Sequence, residues 1–304
     1  MDIVGKRGWL FLVSAILLVP GIVFLIMAPG LRPGIDFTGG STITIEFVDP
    51  VEQQDLRDAL AALQVDDATV QNFGDNVYFI RTKELSETEK DDLTTSLEAA
   101  ISPGGSNVLA FDLVSPVVAQ ETVIAAFWAV FAAAIGIFLY VWWAFRNVPS
   151  PFRYGAAAIV ALIHDAGVIL GIFAILGVVA DVEVNTMFLI ALLTVIGFSV
   201  NDTIVVFDRL RENIVAAPTR SLTANINLSI SETLGRSINT SLTLLFTLLA
   251  LMLFGGPTLR AFLLVLLIGV LVGTYSSIAV ATQTLAVWEQ RDIPRLYRRL
   301  RGRA

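Results

Sequence analysis

Val195-Ile196-Gly197-Phe198-Ser199-Val200-Asn201-Asp202-Thr203-Ile204-Val205-Val206-Phe207-Asp208-Arg209 carries an amide and a carboxylate inside an apolar run that starts near Val184. At about 1.5 Å per helical residue, such a run approaches the thickness of a hydrocarbon layer of about 30 Å. Five more runs share this property, from Trp9 to Met27, Val123 to Phe145, Tyr154 to Ala180, Ile238 to Phe254 and Thr258 to Val287. The chain has 304 residues, of which 55% are hydrophobic and 15% charged, and its mean hydropathy is +0.75. That composition excludes a water-soluble domain of this size and predicts an integral membrane helical bundle of six spans.

Basic residues resist translocation, so their placement orients the spans. Lys6 and Arg7 precede the first run, Arg146 and Arg153 flank the loop after the second, and Arg209, Arg211, Arg220 and Arg236 lie between the fourth and fifth. Arg291, Arg295, Arg298, Arg299, Arg301 and Arg303 follow the sixth. All fall on one side, which is therefore expected to be cytoplasmic, with both termini there. Residues 29–122 hold 5 basic and 17 acidic residues, so the formal charge of −7 averages an acidic exterior segment with a basic interior face. The basic tail beside a last span is read as a topology signal that meets anionic lipid, not as a nucleic-acid site. With no cysteine, disulfides and thiolate metal sites are excluded, and no cofactor is expected. Residues 1–28 read as an uncleaved first span, because the run exceeds a signal core and no small-x-small site ends it.

The organisation expected is a first span at 1–28, an extracytoplasmic domain at 29–118, a five-span bundle at 119–290 with a cytoplasmic loop at about 208–237, and a basic tail at 291–304. Within the exterior domain the apolar period changes to two, with Thr42, Thr44 and Glu46 on one strand face and Ile43, Ile45 and Phe47 on the other. Helical spacing over 52–63, strands over 68–73 and 76–82 joined at Gly74-Asp75-Asn76, a helix over 86–100 behind the Ser86-to-Glu89 capping pattern, and a strand over 107–114 complete the order βαββαβ. A ferredoxin-like sandwich is the simplest fold for it. Gly34-Ile-Asp-Phe-Thr-Gly-Gly-Ser41 opens onto a strand, not a helix N-terminus, and no Lys follows. Its glycines therefore read as a permissive turn docking the domain on the membrane, with Gly34, Asp36, Gly39 and Gly40 as the hinge.

Ionisable residues within spans cost about 2.5 to 3.5 kcal/mol each on insertion scales, which makes each a functional candidate. The third run holds His164 and Asp165, about 15 Å from the cytoplasmic edge, and the fourth holds Asn201 and Asp202, about two turns from it. Asp202 shares a face with Arg209, and Asn201 with Asp208, seven residues on. Ser199 and Thr203 flank this stripe and offer hydroxyls. Arg236 is the expected counter-ion of Asp202. A carboxylate held away from water keeps its proton and yields it to an approaching guanidinium, which is the chemistry of an ion-coupled machine. Gly167, Gly171, Gly177 and Gly197 would let the spans slide in close contact. Three other readings stay open: pairing for helix packing alone, an intramembrane aspartyl protease built on Asp165 and Asp202, and an efflux transporter subunit. The protease reading lacks the Gly-x-Gly-Asp context and has its two carboxylates at depths about 8 Å apart.

Five stretches stand in register: Asp2-Ile-Val-Gly-Lys-Arg7, Gly34-Ile-Asp-Phe-Thr-Gly-Gly-Ser41, His164-Asp165, Gly197-Phe-Ser-Val-Asn-Asp-Thr-Ile-Val-Val-Phe-Asp-Arg-Leu-Arg-Glu212 and Arg236-Ser-Ile-Asn-Thr-Ser241. With them, nearly the whole chain resembles the SecF family of the bacterial Sec protein-export system, within the resistance-nodulation-division superfamily. Phe198 departs from the Tyr frequent there. The resemblance implies a non-enzymatic accessory translocase subunit of the bacterial inner membrane, driven by proton flow and not by ATP. It implies a separate SecD chain supplying the other six-span half, the SecYEG channel beside it, and an unfolded exported polypeptide as the load. It also implies that Asp202 carries the proton and that Arg236 partners it.

Overall fold

In a computed structural model of the chain, which describes residues 2–27, 30–65, 68–74, 76–256 and 259–290, the period-two stretch forms β1 (Gly40–Phe47) and the flanking patterns become the elements around it. These are α2 (Ile35–Thr38), a single turn before β1, then α3 (Gln53–Ala62), β2 (Thr69–Gly74), β3 (Val77–Thr82), α4 (Glu87–Ile101) and β4 (Ser106–Val114). The arginines from Arg291 onward and the expected turn residue Asp75 lie outside the described residues.

The four strands make one sheet in the order β2-β3-β1-β4, with every neighbouring pair antiparallel. Ile43, Ile45 and Phe47 face a core completed by Leu56 and Leu60 from α3, Ile80 and Tyr78 from β3, and Leu93 and Leu97 from α4. The Tyr78 hydroxyl, buried in that core, donates to the Val51 carbonyl. Thr42 and Thr44 are buried as well, so of the expected polar face only Glu46 meets solvent. The reason is position: β1 is central, with β3 and β4 on its two sides. At α4 both halves of the capping box form, Glu89 N–H donating to Ser86 Oγ at 3.3 Å and Ser86 N–H to Glu89 Oε2 at 2.8 Å.

Among the described residues, six helices are long and apolar enough to cross a membrane. They comprise α1 (Arg7–Ile26), α5 (Pro116–Ala144), α6 (Pro151–Val179), α7 (Thr186–Ala216), α8 (Leu222–Phe254) and the pair α9 (Arg260–Ser276) and α10 (Thr282–Glu289), joined by a π-helical stretch at Ser277–Ala281. The loop expected at about 208–237 is instead helix on both sides of residues 217–221. Polar sequence ends an apolar run without ending a helix. Arg209 bonds Glu232 across α7 and α8 at 2.7 Å, and Asn213 Nδ2 donates to Ser229 Oγ at 2.9 Å.

Chain contacts divide the molecule into two units. The first contains Met1–Leu31, Trp128–Val182 and Met187–Ala304, and the second contains Arg32–Phe127 with Glu183–Thr186. In the first unit α1 crosses α6 where Gly21 meets Gly171, so close that a methyl built on Gly21 would stand 2.6 Å from the Gly171 Cα. A methyl on Gly167 would meet Leu18 at 3.1 Å. Gly197, expected at a contact, has nothing within 4 Å, whereas a Cβ at Gly273 of α9 would lie 2.8 Å from the Ser199 Cβ of α7. Gly273 thus brings α9 against α7 as a small residue does at a membrane helix crossing.

In the second unit the glycine-rich segment is tied to residues 183–186. Pro33 and Val184 form a parallel bridge, and Gly34 N–H donates to the Val184 carbonyl at 2.7 Å. The N–H of Thr186, first residue of α7, donates to Asp36 Oδ2 at 2.7 Å. Arg81 of β3 donates to the Pro33 carbonyl and to Glu183, both at 2.9 Å, and to Thr38 Oγ1 at 2.7 Å. Gly39 and Gly40 adopt φ of +77° and +124°, and a Cβ on Gly40 would lie 2.6 Å from the Thr82 carbonyl oxygen.

Candidate functional site

Asp165 stands fourteen residues after Pro151 in α6, and Asp202 fourteen residues before Ala216 in α7. Both carboxylates therefore lie near the middle of their helices, about 21 Å from those ends. The helix ends differ from the ends of the apolar runs, because α7 continues nine residues past Phe207.

Each carboxylate is buried, and each is held by hydroxyls from other helices. Asp202 accepts from Ser237 Oγ of α8 at 2.7 Å and from Ser277 Oγ of the π stretch at 3.4 Å. Asp165 accepts from Ser199 Oγ of α7 at 2.5 Å and from Ser276 Oγ of α9 at 2.7 Å, both on Oδ2. Its Oδ1 lies 2.9 Å from His164 Nδ1. Since Ser276 and Ser277 are consecutive, the two carboxylates meet the same turn of the sixth span. π-helical stretches concentrate at functional sites, and this one begins at Ser277.

The other candidates distribute around this centre. Ser199 donates to Asp165, not to the stripe expected around Asp202, and Thr203 is buried beside it. Asn201 and Arg236 are exposed. The contact expected of Arg236 is made by the next residue: Ser237 bonds Asp202, and among the described residues no hydrogen bond or ion pair joins Arg236 to it. Arg209 turns away to Glu212 at 2.6 Å and Glu232 at 2.7 Å, and Asp208 pairs with Arg211 at 2.8 Å. Phe198 packs beside Leu248, Leu263 and Val270.

Sequence reasoning passed over Ser237, Ser276, Ser277 and Glu232. A signal existed for Ser237, which lies within the quoted Arg236-to-Ser241 stretch, whereas Ser276 and Ser277 stand among Thr274, Tyr275, Thr282, Gln283 and Thr284 and are not singled out by the pattern. Among the described residues no group of three or more His, Cys, Asp or Glu could hold a metal ion. No hydrogen bond among them joins Asp165 to Asp202, the contact a proton-sharing protease dyad requires.

A family described as protein export membrane protein SecD/SecF, C-terminal, matches residues 95–291, and one described as the SecD/SecF GG motif matches residues 24–51. The chain is similar to a protein translocase subunit SecF from Thermobaculum terrenum, 44% identical over 98% of this chain and 97% of that one. A protein of the same name from Anaerolinea thermophila is 39% identical over 96% and 95%. The crystal structure of SecDF, a translocon-associated membrane protein from Thermus thermophilus, matches with a TM-score of 0.85 at 32% identity and covers 95% of this chain. This chain spans 39% of that SecDF chain.

Proposed function

The chain belongs to the SecD/SecF family of protein-export membrane proteins, and on that premise we propose that it is an accessory subunit of the Sec translocase that uses the proton motive force to assist export. Asp202 is the proton carrier in this reading. The observation that carries it is the setting of Asp202, a buried carboxylate in mid-helix whose contacts are two serine hydroxyls. Hydroxyls can serve either protonation state, since each donates to a carboxylate and accepts from a carboxylic acid. A structural ion pair would supply a fixed cation instead.

His164, Asp165, Asn201 and Arg236 complete the relay, with Ser199, Thr203, Asp208 and Arg209 as its polar surroundings. Asn201 and Arg236 are exposed in this chain, and they are open to a second six-span half supplied by SecD. One elementary charge crossing the membrane potential supplies about 2.3 kcal/mol per 100 mV, enough to bias a two-state motion. The small unit is read as a ferredoxin-like extracytoplasmic domain, because β3 lies between β1 and β2 as a split βαβ requires. Gly34, Asp36, Gly39 and Gly40 hinge it to the bundle. SecYEG, the emerging unfolded polypeptide and bilayer lipid are the further partners, in an inner membrane with both termini cytoplasmic.

Asp202→Asn keeps the shape and removes the titratable proton. Inverted membrane vesicles containing the variant and its partner chain are expected to lose the part of preprotein export that depends on the proton gradient. Export at the wild-type rate would overturn the reading.

A further inference from the structure

His164 is the chain's only histidine, and its side chain is 5% exposed beside a carboxylate that is wholly buried. Its Nδ1 meets Asp165 Oδ1 at 2.9 Å, while its Nε2 is buried without a hydrogen-bond partner among the described residues. Asp165 has its other oxygen filled by Ser199 and Ser276, which leaves Oδ1 to the imidazole. An anion fixed on Nδ1 selects the tautomer with the proton there and leaves a bare lone pair at Nε2.

We propose that His164 Nε2 is a second proton-binding atom of this chain, with Asp165 as the positioning residue that orients the imidazole and balances its charge. Ser276 joins this pair to the turn whose next residue, Ser277, stands 3.4 Å from Asp202 Oδ2. The inference deepens the proton-driven reading and rests on it for its use, though not for its measurement. Proton binding at Nε2 turns a neutral imidazole beside an anion into an imidazolium–carboxylate pair. That changes the charge felt by Asp202 through a shared helical turn, and it lets two protonations bias one element.

From α9 the Tyr275 ring stands 6.3 Å from the imidazole, centroid to centroid, with its hydroxyl donated to the Leu10 carbonyl of α1 at 2.6 Å and 3.3 Å from Ser14 Oγ. From α7 come Ser199 and, beyond it, Asp202. From α10 the carboxylate of Glu289 is paired with Arg153 near the start of α6.

A single histidine makes the test direct. The full chain, labelled with ¹⁵N in its imidazole and reconstituted in lipid bilayers, is followed by solid-state NMR from about pH 4 to about pH 9, around the ordinary imidazole value of ~6.5. The expected spectrum at high pH is the neutral Nδ1–H tautomer, converting to the doubly protonated ring within that range. Asp165→Asn is expected to abolish the conversion or displace its midpoint by at least about one pH unit. Ser276→Ala, which removes one donor from Asp165 and leaves the ring untouched, is expected to displace it less. A ring that stays neutral throughout, that carries its proton on Nε2, or that titrates identically in both variants overturns the proposal. Asp202→Asn separates the two readings: export that survives it sinks the proton-driven function, while the imidazole spectrum alone decides the role of His164.

Discussion

Ser276 and Ser277 are neighbours on the sixth span, yet their hydroxyls go to different carboxylates, Ser276 to Asp165 Oδ2 at 2.7 Å and Ser277 to Asp202 Oδ2 at 3.4 Å. Consecutive helical residues point about 100° apart, so two helices packed against one turn can each receive one of them. The sixth span therefore touches both ionisable sites.

The bond lengths rank the serines. Ser237 reaches Asp202 at 2.7 Å, a strong hydroxyl–carboxylate distance, whereas 3.4 Å from Ser277 is beyond the usual range. Ser237→Ala is expected to lower stability by about 1 to 2 kcal/mol and to impair gradient-driven export, with Ser277→Ala costing well under about 1 kcal/mol. Denaturant unfolding of the purified chain and vesicle export check both. Equal effects would contradict the ranking.

Gly21 and Gly171 bring two helix backbones into contact, and a side chain at either must push the helices apart. Gly171→Leu is expected to destabilise the chain by about 1 to 3 kcal/mol through overpacking. Gly197→Ala, with open space around it, is expected to be neutral or to gain up to about 1 kcal/mol from helix propensity. Thermal unfolding of the two variants in the same detergent distinguishes them, and a Gly171→Leu protein as stable as wild type would show that the crossing is loose.

The ion pair between Arg81 and Glu183, with side chains 22% and 15% exposed, fastens β3 to the residues ahead of α7. Arg81→Glu and Glu183→Arg are each expected to speed amide exchange at Val184 and Thr186 by about fivefold, corresponding to about 1 kcal/mol. The double reversal is expected to recover part of that protection. Asp36→Ala, which removes the acceptor for the Thr186 N–H, is expected to expose that amide alone. Hydrogen exchange read by mass spectrometry tests all four variants, and exchange unchanged in each would remove the fastening.

Glu89 accepts the Ser86 backbone N–H and then the Ser86 hydroxyl, which together hold its carboxyl below the usual value of 4.5. A carboxyl lowered in the folded state stabilises fully above the ordinary value and loses that contribution as pH falls through the folded one. Exchange in the first turn of α4 is expected to accelerate below about pH 4.5 in the wild type, after correction for intrinsic rates, and to lose that acid dependence in Glu89→Gln. An equal acid response in both would assign it elsewhere.

Much of the architecture follows from local pattern. Apolar run length specifies six spans because hydrocarbon cannot satisfy backbone polar groups, leaving the helix as the arrangement that hides them. Alternation through Ile43, Ile45 and Phe47 specifies a strand because side chains leave a pleat on opposite faces, and the Ser86-to-Glu89 spacing specifies a capping box. Asp202, His164 and Asp165 were legible as candidates because ionisable groups are costly inside spans. Serine carries no such mark, since in any helix its hydroxyl can return to the carbonyl four residues back, as Ser241 also does with Ser237.

By itself the sequence determined the six apolar helices, the strand-and-helix order of the small unit and the carboxylates that a membrane span must account for, all properties set by neighbours along the chain. Only the tertiary structure decided that α7 outruns its apolar stretch, that Gly21 meets Gly171, that Ser237 takes the contact expected of Arg236, and that Ser276 and Ser277 hold two carboxylates on one turn. Each of these depends on which faces of distant helices meet, and that is settled by packing across the bundle, where close approach at glycine and hydrogen bonding of buried carboxylates outweigh any preference local to one span.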